Sequence, residues 1–426
     1  MADFDTSAVH GGQSPDPTTL SRAVPVYRTS SFVFKSAEHA ANLFALKEFG
    51  NIYSRLGNPT NEILENRVTA LEGGAASVSV ASGTAAIFNT VITIAKAGDE
   101  IVSATNLYGG TYTMFDAILP DLGINTKWAD ARDPDSFEKA INDKTRLLYL
   151  ETIGNPVLDV ADIAAVAKIA KAHKLPLVVD GTFTTPYLLK TIELGANVVI
   201  NSLTKWMGGH GTAIGGIVTD GGNFDWTDPK FVQFTRADKN YHGLRWALDL
   251  PPELAKIAFA LRFRTVPLRN LGACLSPDNA WLFLQGLETL HVRMPRHSEN
   301  ALAVAEFLKK HPKAAWVRYP GLKDDPSYPV AAKYLKKGFG GMVVFGVKGG
   351  RKAGEKFIES LSLFSHLANV GDAKSLALHP ASTSHSQLTE EQQKEGGLTP
   401  DLVRLSIGIE SIGDILADLE KALKAV

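Results

Sequence analysis

The sequence predicts an α/β protein with a mostly parallel sheet flanked by helices and a smaller C-terminal α/β domain. From about residue 61, short apolar strand patterns alternate with helical patterns, which is typical of a largely parallel sheet covered on both faces. Two strands, at 175–179 and 196–201, are joined by a short helical segment at 187–194. Such a unit makes its two strands parallel. A new series of helix and strand patterns begins near residue 270 and indicates the smaller domain.

The predicted elements run from an irregular start to a closing helix. Thr60 caps a helix that stops at Gly73, because a hydroxyl suits a helix start and glycine suits its end. Further helices are predicted at 84–95, 110–119, 135–142, 161–173, 277–290, 293–310, 351–361 and 411–424. Strands are also predicted near 77–80, 101–104, 124–128, 145–150, 341–347 and 403–407. Residues 220–275 show no simple periodicity.

The chain of 426 residues is expected to divide into three parts. Residues 1–60 are rich in proline, serine, threonine and glycine, and they predict an extended N-terminal arm with little core of its own. We expect this arm to contact a neighbouring subunit. Residues 61–269 are predicted to form a large, ligand-binding domain and residues 270–426 a small one.

Composition and charge argue against several classes of protein. A net charge of −1 provides no basic surface for nucleic acid or an anionic membrane. No apolar run is long enough for a membrane span, and the first residues lack the features of a signal peptide, so the expected location is the cytoplasm. The single cysteine, Cys274, excludes a disulfide within the chain and is interpreted as an inert thiol rather than a nucleophile.

The most informative residues are predicted to lie at one edge of the sheet. One strand ends in Asp180, and the next is followed by Ser202, Thr204 and Lys205. Open α/β sheets bind ligands at the carboxyl ends of their strands. A lysine for a Schiff base, an acid for a pyridinium nitrogen and hydroxyls for a phosphate are the protein's part of a pyridoxal phosphate site. A surface lysine is the usual alternative, but it does not explain the four residues together.

A turn from strand to helix supplies a second element for phosphate. Ser82, Gly83 and Thr84 begin a predicted helix, whose free N–H groups favour an anion, and Gly83 allows close approach. The turn lacks the lysine of a Walker loop, so a nucleotide site is not favoured. An ordinary tight turn is the alternative, and the nearby hydroxyls of Ser202 and Thr204 favour the phosphate.

Tyr108 and Asn155 each follow a strand at the same edge. The ring of Tyr108 can stack on a flat cofactor, whereas a partly buried packing tyrosine is the alternative. The amide of Asn155 can hydrogen-bond a carboxylate or the phenolic oxygen of the cofactor. The alternative is a turn at Asn155-Pro156.

Further candidates offer groups for anions. Tyr53 and Arg55 lie in the arm, where the arginine fork suits a phosphate and a solvated arginine is the alternative. Arg404 interrupts an apolar strand and therefore needs a carboxylate partner, either a substrate or a structural acid. Ser375 can assist Arg404, although a turn serine is the simpler interpretation.

No metal site is expected. His366, His379 and His385 lie in one region, but they have neither helical spacing nor a cysteine partner. Loop or domain-interface positions are the favoured interpretation.

Five motifs together resemble the Cys/Met-metabolism family of pyridoxal phosphate enzymes, nearly from end to end of the chain. They occupy 54–60, 81–86, 179–180, 202–206 and 404–410. Within the family the chain most resembles the O-acetylhomoserine sulfhydrylases, on segments at 224–243, 271–290 and 368–383. The resemblance implies the aspartate-aminotransferase-like fold (fold type I) and pyridoxal 5'-phosphate as the cofactor.

The resemblance also implies a role for each candidate residue. Lys205 becomes the Schiff-base lysine and Asp180 the partner of the ring nitrogen, and Tyr108 becomes the stacking ring. The other implied cofactor contacts are Ser82, Gly83, Thr84, Ser202 and Thr204, with Tyr53 and Arg55 donated by a neighbouring subunit. Asn155, Ser375 and Arg404 are implied to hold the substrate carboxylate. Tyr108 or Tyr53 is expected to share proton transfers with Lys205.

The sequence departs from the family pattern at three places. Gly181 stands where relatives usually carry Asn, and Asn201 stands where many carry His. Both lie beside Asp180 and change its expected surroundings. Gly110 replaces the cysteine of methionine-degrading relatives, which counts against a methionine γ-lyase.

The implied activity is γ-replacement in methionine biosynthesis, with O-acetyl-L-homoserine and sulfide giving L-homocysteine and acetate. The implied assembly is a homotetramer built from dimers with shared active sites. Cystathionine γ-synthase, a γ-lyase and a sulfhydrylase acting on O-succinylhomoserine or O-acetylserine remain alternatives on the same scaffold. A non-catalytic protein that binds pyridoxal phosphate is a remote alternative, disfavoured by the intact Lys205, Asp180 and Arg404.

Overall fold

Two sheets organise the chain in the computed structural model, which describes residues 2–383 and 398–426. The large sheet contains β1 (Ala76–Val80), β2 (Glu100–Ala104), β3 (Asn125–Ala129), β4 (Thr145–Glu151), β5 (Leu177–Asp180), β6 (Val198–Asn201) and β7 (Gly216–Asp220). Their spatial order is β1-β7-β6-β5-β4-β2-β3. The run from β3 to β6 is parallel, and β7 is antiparallel to both β1 and β6. The predicted mostly parallel sheet is confirmed.

Strand β7 was not predicted from the sequence. Its five residues are all buried, so they lack the alternation of a half-buried strand. They also follow a glycine-rich turn, which masks the start of the element. The strand fills the gap between β1 and β6 and brings the helix that follows β1 beside the loop that follows β6.

Helices cover both faces of the large sheet. Those up to β7 are α1 (Phe4–His10), α2 (Ala37–Phe44), α3 (Pro59–Glu72), α4 (Gly83–Ile94), α5 (Gly109–Thr113), α6 (Leu119–Asp121), α7 (Pro134–Ala140), α8 (Ile163–Ala172) and α9 (Thr185–Leu188). The predicted helix at 110–119 is instead α5, a π-helical turn at Met114–Ile118 and α6. The predicted crossover helix at 187–194 is α9 followed by a 3-10 turn at Thr191–Leu194. It still joins two parallel strands.

The N-terminal arm is less extended than predicted, because it contains α1 and α2. In α1, Ala8 is fully buried against the body of the chain. The buried guanidinium of Arg67, in α3, donates to the carbonyl oxygen of Gly11 over 2.9 Å. The first helix of the arm therefore packs on its own chain. Residues 4–10 contain few apolar side chains, so the sequence did not predict this contact.

Residues 220–275 form an aromatic cluster among short helices. These are α10 (Val232–Thr235), α11 (Pro252–Ala255), α12 (Ala258–Phe263) and α13 (Arg269–Leu271), with a 3-10 turn at Lys239–Tyr241 and a π-helical turn at Arg264–Leu268. The ring of Trp226 stacks on Phe234 with centroids 4.3 Å apart. Arg264 donates to the carbonyl oxygen of Leu56 over 2.7 Å and pairs with Glu65, so this segment braces the arm. Packing between short elements explains the lack of periodicity.

The small sheet has the order β10-β11-β12-β9-β8. Its strands are β8 (Ala314–Arg318), β9 (Met342–Val347), β10 (Ser365–His366), β11 (Leu376–Leu378) and β12 (Leu402–Ser406). The helices of this region are α14 (Pro277–Glu288), α15 (Leu290–Lys310), α16 (Tyr328–Tyr334), α17 (Gly350–Ser360) and α18 (Ile412–Lys424), with a 3-10 turn at Pro380–Ser382. The sheet lies within the predicted small domain, whose limits stay a prediction. No described helix is long and apolar enough to cross a membrane.

Candidate active site

Lys205 lies in the loop after β6, and its amine is largely shielded from water. Its Nζ donates to Oδ1 of Asn369 over 2.6 Å. Burial, and then the positive charge of Arg404, lower the pKa of Lys205 to about 8. A lysine with a depressed pKa is a better base and nucleophile near neutral pH. The structure thus brings Lys205 and Arg404 to one place, as the sequence predicted.

Asp180 ends β5 at the same edge and is buried. Its Oδ1 accepts the backbone N–H of Thr182 over 2.9 Å, and the hydroxyl of Tyr149 lies 3.4 Å from its Oδ2. Burial raises the pKa of Asp180, and its hydrogen bonds oppose that shift. A buried acid of this kind would gain from a cationic partner such as a pyridinium nitrogen.

A second buried acid, Glu151, was not among the predicted site residues, and it lies opposite Asp180 in the register of β4 and β5. Its Oε1 accepts the backbone N–H of Tyr108 over 2.7 Å. Burial first, and then the negative charge of Asp180, raise the pKa of Glu151 well above its ordinary value. The signal was present in the sequence, because Glu151 follows an apolar strand just as Asp180 does.

The N-terminus of α4 meets the loop after β6. The Oγ of Ser82 caps α4 by accepting from the N–H of Ala85 over 3.0 Å. A Cβ added to Gly83 would lie 2.8 Å from the Cβ of Ser202, so glycine is required for this approach. The free N–H groups of the helix therefore open beside the Ser202 side chain, a cradle suited to a phosphate. Thr84 is exposed at the same turn.

Thr204, a predicted phosphate ligand, is engaged elsewhere. Its hydroxyl donates to the carbonyl oxygen of Gly215 over 3.2 Å and accepts from the N–H of Gly215 over 3.0 Å. The contact holds the loop after β6 against the segment that leads into β7. The hydroxyl of Thr204 would have to give up its hydrogen bond to the carbonyl oxygen of Gly215 in order to donate to a phosphate.

Arg404 and Asn155, which the resemblance implies for the same substrate carboxylate, are in contact. Nη1 of Arg404 donates to Oδ1 of Asn155 over 3.2 Å. Burial lowers the pKa of Arg404 to about 10, while Tyr108 acts in the opposite direction and so lies close by. Within residues 2–383 and 398–426, no acidic side chain forms an ion pair with Arg404. The guanidinium is thus available for the carboxylate of a substrate.

Ser375 does not turn its hydroxyl toward Arg404. The side chain is fully buried, and its Oγ donates to Oε2 of Glu410 over 3.0 Å. It also accepts from the N–H of Gly408 over 2.9 Å. The turn interpretation describes this serine better than a direct contact with substrate.

Tyr53 and Arg55 are exposed and contact each other, with the guanidinium 5.0 Å from the centre of the Tyr53 ring. Among the described residues, no hydrogen bond or ion pair joins either of them to Lys205, Asp180 or Ser202. Their assignment to the site of a neighbouring subunit stays a prediction.

Gly181 and Asn201, two of the positions that depart from the family pattern, lie next to each other. A Cβ added to Gly181 would lie 3.2 Å from Oδ1 of Asn201. The amide of Asn201 donates over 2.6 Å to Oε1 of Glu72, whose pKa burial raises to about 8. Gly181 thus leaves room for the Asn201 side chain. Gly110 has a similar role, because a Cβ there would lie 2.7 Å from the ring of Tyr108.

The residues that the structure describes contain no cluster of three or more His, Cys, Asp or Glu side chains suited to a metal ion. His379 instead contacts the hydroxyl of Ser382 and the carbonyl oxygen of Pro400. His366 is exposed in β10. His385 lies outside the described residues.

The arrangement fits pyridoxal phosphate. At the carboxyl edge of the sheet lie a buried acid for the ring nitrogen, an amine with a depressed pKa and a guanidinium that has no acidic partner in the part of the chain that the structure describes. The Gly83 turn adds a cradle that any Cβ would fill. These are the donor groups that the cofactor and an amino-acid substrate require.

Comparisons with known proteins agree with this chemistry. The chain matches the family model for Cys/Met metabolism PLP-dependent enzymes over residues 5–424. It is 56% identical to O-acetyl-L-homoserine sulfhydrylase of Leptospira meyeri over 99% of this chain and 97% of that protein. It is 47% identical to homocysteine synthase of Schizosaccharomyces pombe over 99% of this chain and 98% of that protein.

A solved structure shares the fold. It is a Campylobacter jejuni protein assigned as an O-acetylhomoserine (thiol)-lyase, with a TM-score of 0.95 and 40% sequence identity. The match covers 99% of this chain and 100% of that one. That structure carries N'-pyridoxyl-lysine-5'-monophosphate at position 205 of its own chain.

Proposed function

This chain belongs to the Cys/Met metabolism PLP-dependent enzymes, and we propose that it is an O-acetylhomoserine sulfhydrylase. The reaction replaces the acetoxy group on the γ-carbon of O-acetyl-L-homoserine by sulfide and gives L-homocysteine and acetate. The observation that carries the proposal is the full-length similarity, at 56% identity, to a relative of that name. The proximity of Lys205 and Arg404 supports it, because the two residues offer groups for the cofactor and for the substrate carboxylate.

We propose that the chain's own residues hold the cofactor from two sides. Asp180 keeps a proton on the ring nitrogen, and the N-terminus of α4 with Gly83 and Ser202 receives the phosphate. Bound pyridoxal phosphate supplies an aromatic ring that accepts electrons from the substrate carbons. Lys205 anchors it through its Nζ.

Arg404 and Asn155 are proposed to bind the substrate carboxylate, which fixes the α-carbon beside Lys205. When the substrate amine takes the place of Lys205 on the cofactor, Nζ is released, and in its uncharged form it would remove the α-proton. The depressed pKa of Lys205 keeps a useful fraction of Nζ uncharged near neutral pH. Tyr108 is proposed to stack on the cofactor and to share proton transfers, because its exposed ring lies near Arg404.

We further propose that the enzyme is a homotetramer of dimers with shared sites. Tyr53 and Arg55 support this, since both are exposed and placed in an arm braced by Arg264. Each side chain would contact the phosphate of the cofactor bound by the neighbouring subunit. By symmetry, the neighbouring subunit would contribute the same two side chains to the site of the first.

Product analysis tests the proposed function directly. The protein loaded with pyridoxal phosphate should form homocysteine from O-acetylhomoserine and sulfide faster than from O-succinylhomoserine and sulfide. Parallel assays with O-acetylserine, and with cysteine in place of sulfide, separate cysteine synthesis and cystathionine γ-synthase activity. Preferred formation of cystathionine, or of 2-oxobutanoate without a sulfur nucleophile, would overturn the proposal.

A further inference from the structure

Glu151 has no role in the proposed reaction, yet it lies at the centre of the site. It is 7% exposed at the end of β4, next to Asp180 at the end of β5. Its Oε1 accepts the backbone N–H of Tyr108 over 2.7 Å, and the backbone N–H of Asn155 also hydrogen-bonds to its carboxyl group. One buried side chain therefore joins two loops that carry candidate site residues.

Tyr108 depends on such an anchor more than a core residue does. Its side chain is 50% exposed, so packing alone does not fix the ring. Its backbone stands at the start of α5, where Tyr108 offers no side-chain cap. An N–H group at this point that lost a buried acceptor would be left unsatisfied or open to water.

The two loops are also in direct contact. A Cβ added to Gly154 would lie 2.3 Å from Nδ2 of Asn106, and that Nδ2 donates to Asp159 over 3.2 Å. A change at Glu151 would therefore reach Tyr108 and Asn155 together, because the loops that carry them pack against each other.

We propose that Glu151 is a positioning residue, which holds Tyr108 and Asn155 at fixed places around the pocket by accepting their backbone N–H groups. The inference rests on the proposed function for the roles of Tyr108 and Asn155. Glu151 itself touches neither the substrate nor the reacting atoms in this assignment.

Glu151 acts in its uncharged form. Burial and the negative charge of Asp180 raise the pKa of Glu151 well above its ordinary value. Thr182 and Tyr149 donate to Asp180 and oppose the effect of burial on its pKa, so Asp180 keeps the charge and Glu151 keeps the proton. A carboxylic acid retains a carbonyl oxygen that accepts hydrogen bonds. A glutamine at position 151 should therefore still accept the backbone N–H groups, whereas a leucine should not.

Hydrogen–deuterium exchange of the cofactor-free protein tests the positioning role. Glu151→Leu should speed exchange of the Tyr108 and Asn155 amides by roughly tenfold, as expected for loss of a buried acceptor. Glu151→Gln should stay within about threefold of the wild type, since its carbonyl oxygen still accepts. The dissociation constant for pyridoxal phosphate should follow the same order.

Glu100→Leu is the matched control. Glu100 is also buried, but it lies at the opposite end of the sheet, where it accepts from Nδ2 of Asn142 over 2.7 Å. Its loss should leave exchange at Tyr108 and Asn155 unchanged. Glu151→Asp, which withdraws the carboxyl group by one methylene, should also speed exchange at both amides and serves if the leucine protein does not fold.

Two results would overturn the inference. The first is wild-type exchange at Tyr108 and Asn155 in both the leucine and aspartate proteins. The second is a glutamine protein as perturbed as the leucine protein, which would mean that charge, not an uncharged acceptor, matters. The exchange measurement requires no turnover, so a wild-type protein without sulfhydrylase activity would refute the proposed function and leave this inference standing.

Discussion

Nζ of Lys205 donates to Oδ1 of Asn369 over 2.6 Å. Lys205 follows a strand of the large sheet, whereas Asn369 lies in the loop between β10 and β11 of the small sheet. The side-chain amide therefore fixes the amine across the boundary between the two sheets. A neutral acceptor orients the amine without adding a negative charge that would favour its protonated form.

The charge at position 369 should set the pKa of Lys205. Asn369→Asp places a carboxylate where the amide oxygen lies, and an opposite charge at this distance stabilises the ammonium form. The pKa of Lys205 should then rise from about 8 by roughly one unit or more. Acylation of Lys205 in the cofactor-free protein, followed by mass spectrometry across pH, measures this shift.

Asn369→Ala separates orientation from charge. It should leave the midpoint of Lys205 acylation near the wild-type value, because burial is the main cause of the low pKa. It should still lower kcat severalfold, because the amine loses its hydrogen-bond partner. If the midpoint of Lys205 acylation in Asn369→Asp equals that of the wild type, the contact between Lys205 and residue 369 is contradicted.

Lys205→Ala should abolish turnover and the visible absorption band of a lysine-bound cofactor. Pyridoxal phosphate should still bind through the phosphate cradle and Asp180, with weaker affinity, because the covalent anchor is lost. Absorption spectra and assays of the purified protein measure both effects. Lys171, exposed in α8, provides a matched control, and Lys171→Ala should behave as the wild type. Full activity in Lys205→Ala would refute the assignment.

The sequence predicted those parts of the candidate site that depend on local pattern. Lys205 and Asp180 each follow an apolar strand, and parallel strands bring such residues to one edge. Arg404 was recognisable as a charge within an apolar strand, and its contact with Asn155 agrees with a shared role. The family match and the relatives confirm the fold class and cofactor.

Other features depend on contacts between distant segments and were not predictable from pattern. Asn369 is an ordinary loop amide until folding places it 2.6 Å from Lys205. The resemblance implied that Ser375 holds the substrate carboxylate with Arg404, but Glu410, which is 35 residues away in sequence, accepts the hydrogen bond of its hydroxyl. In α1, the burial of Ala8 against the body of the chain gives no periodic signal. The contacts of each of these side chains are therefore set by residues that are distant in sequence.

Shared sites should be revealed by subunit complementation. Arg55→Ala should weaken pyridoxal phosphate binding in a homomeric enzyme, and Lys205→Ala should be inactive. A mixed dimer contains one site that combines Lys205 from one subunit with Arg55 from the other. Co-expression should therefore restore roughly a quarter of wild-type activity for random pairing of subunits. Specific activity equal to the mean of the two separate proteins would indicate that Arg55 serves its own chain.

The pair Glu72 and Asn201 should make stability depend on pH. The pKa of Glu72 rises from its ordinary 4.5 to about 8 on folding, so the folded state binds more protons between these values. This contribution to stability is complete below pH 4.5 and is lost as pH rises through 8. Glu72→Gln keeps an acceptor for Asn201 without the charge. Its Tm should fall less than that of the wild type between pH 5 and pH 8.5 in scanning fluorimetry, whereas parallel curves would contradict the shift.

Gly83→Ala should weaken binding of the cofactor phosphate. The added Cβ would lie 2.8 Å from the Cβ of Ser202, so Ser202 or the start of α4 must move. A displacement that costs about 1.4 kcal/mol raises the dissociation constant of pyridoxal phosphate tenfold. Affinity for pyridoxal, which lacks the phosphate, should change little. Gly413→Ala is the control, because its Cβ would meet only Oγ of Ser411 at 3.9 Å. Equal weakening of pyridoxal and pyridoxal phosphate in Gly83→Ala would show that this turn acts on the ring pocket and not on the phosphate.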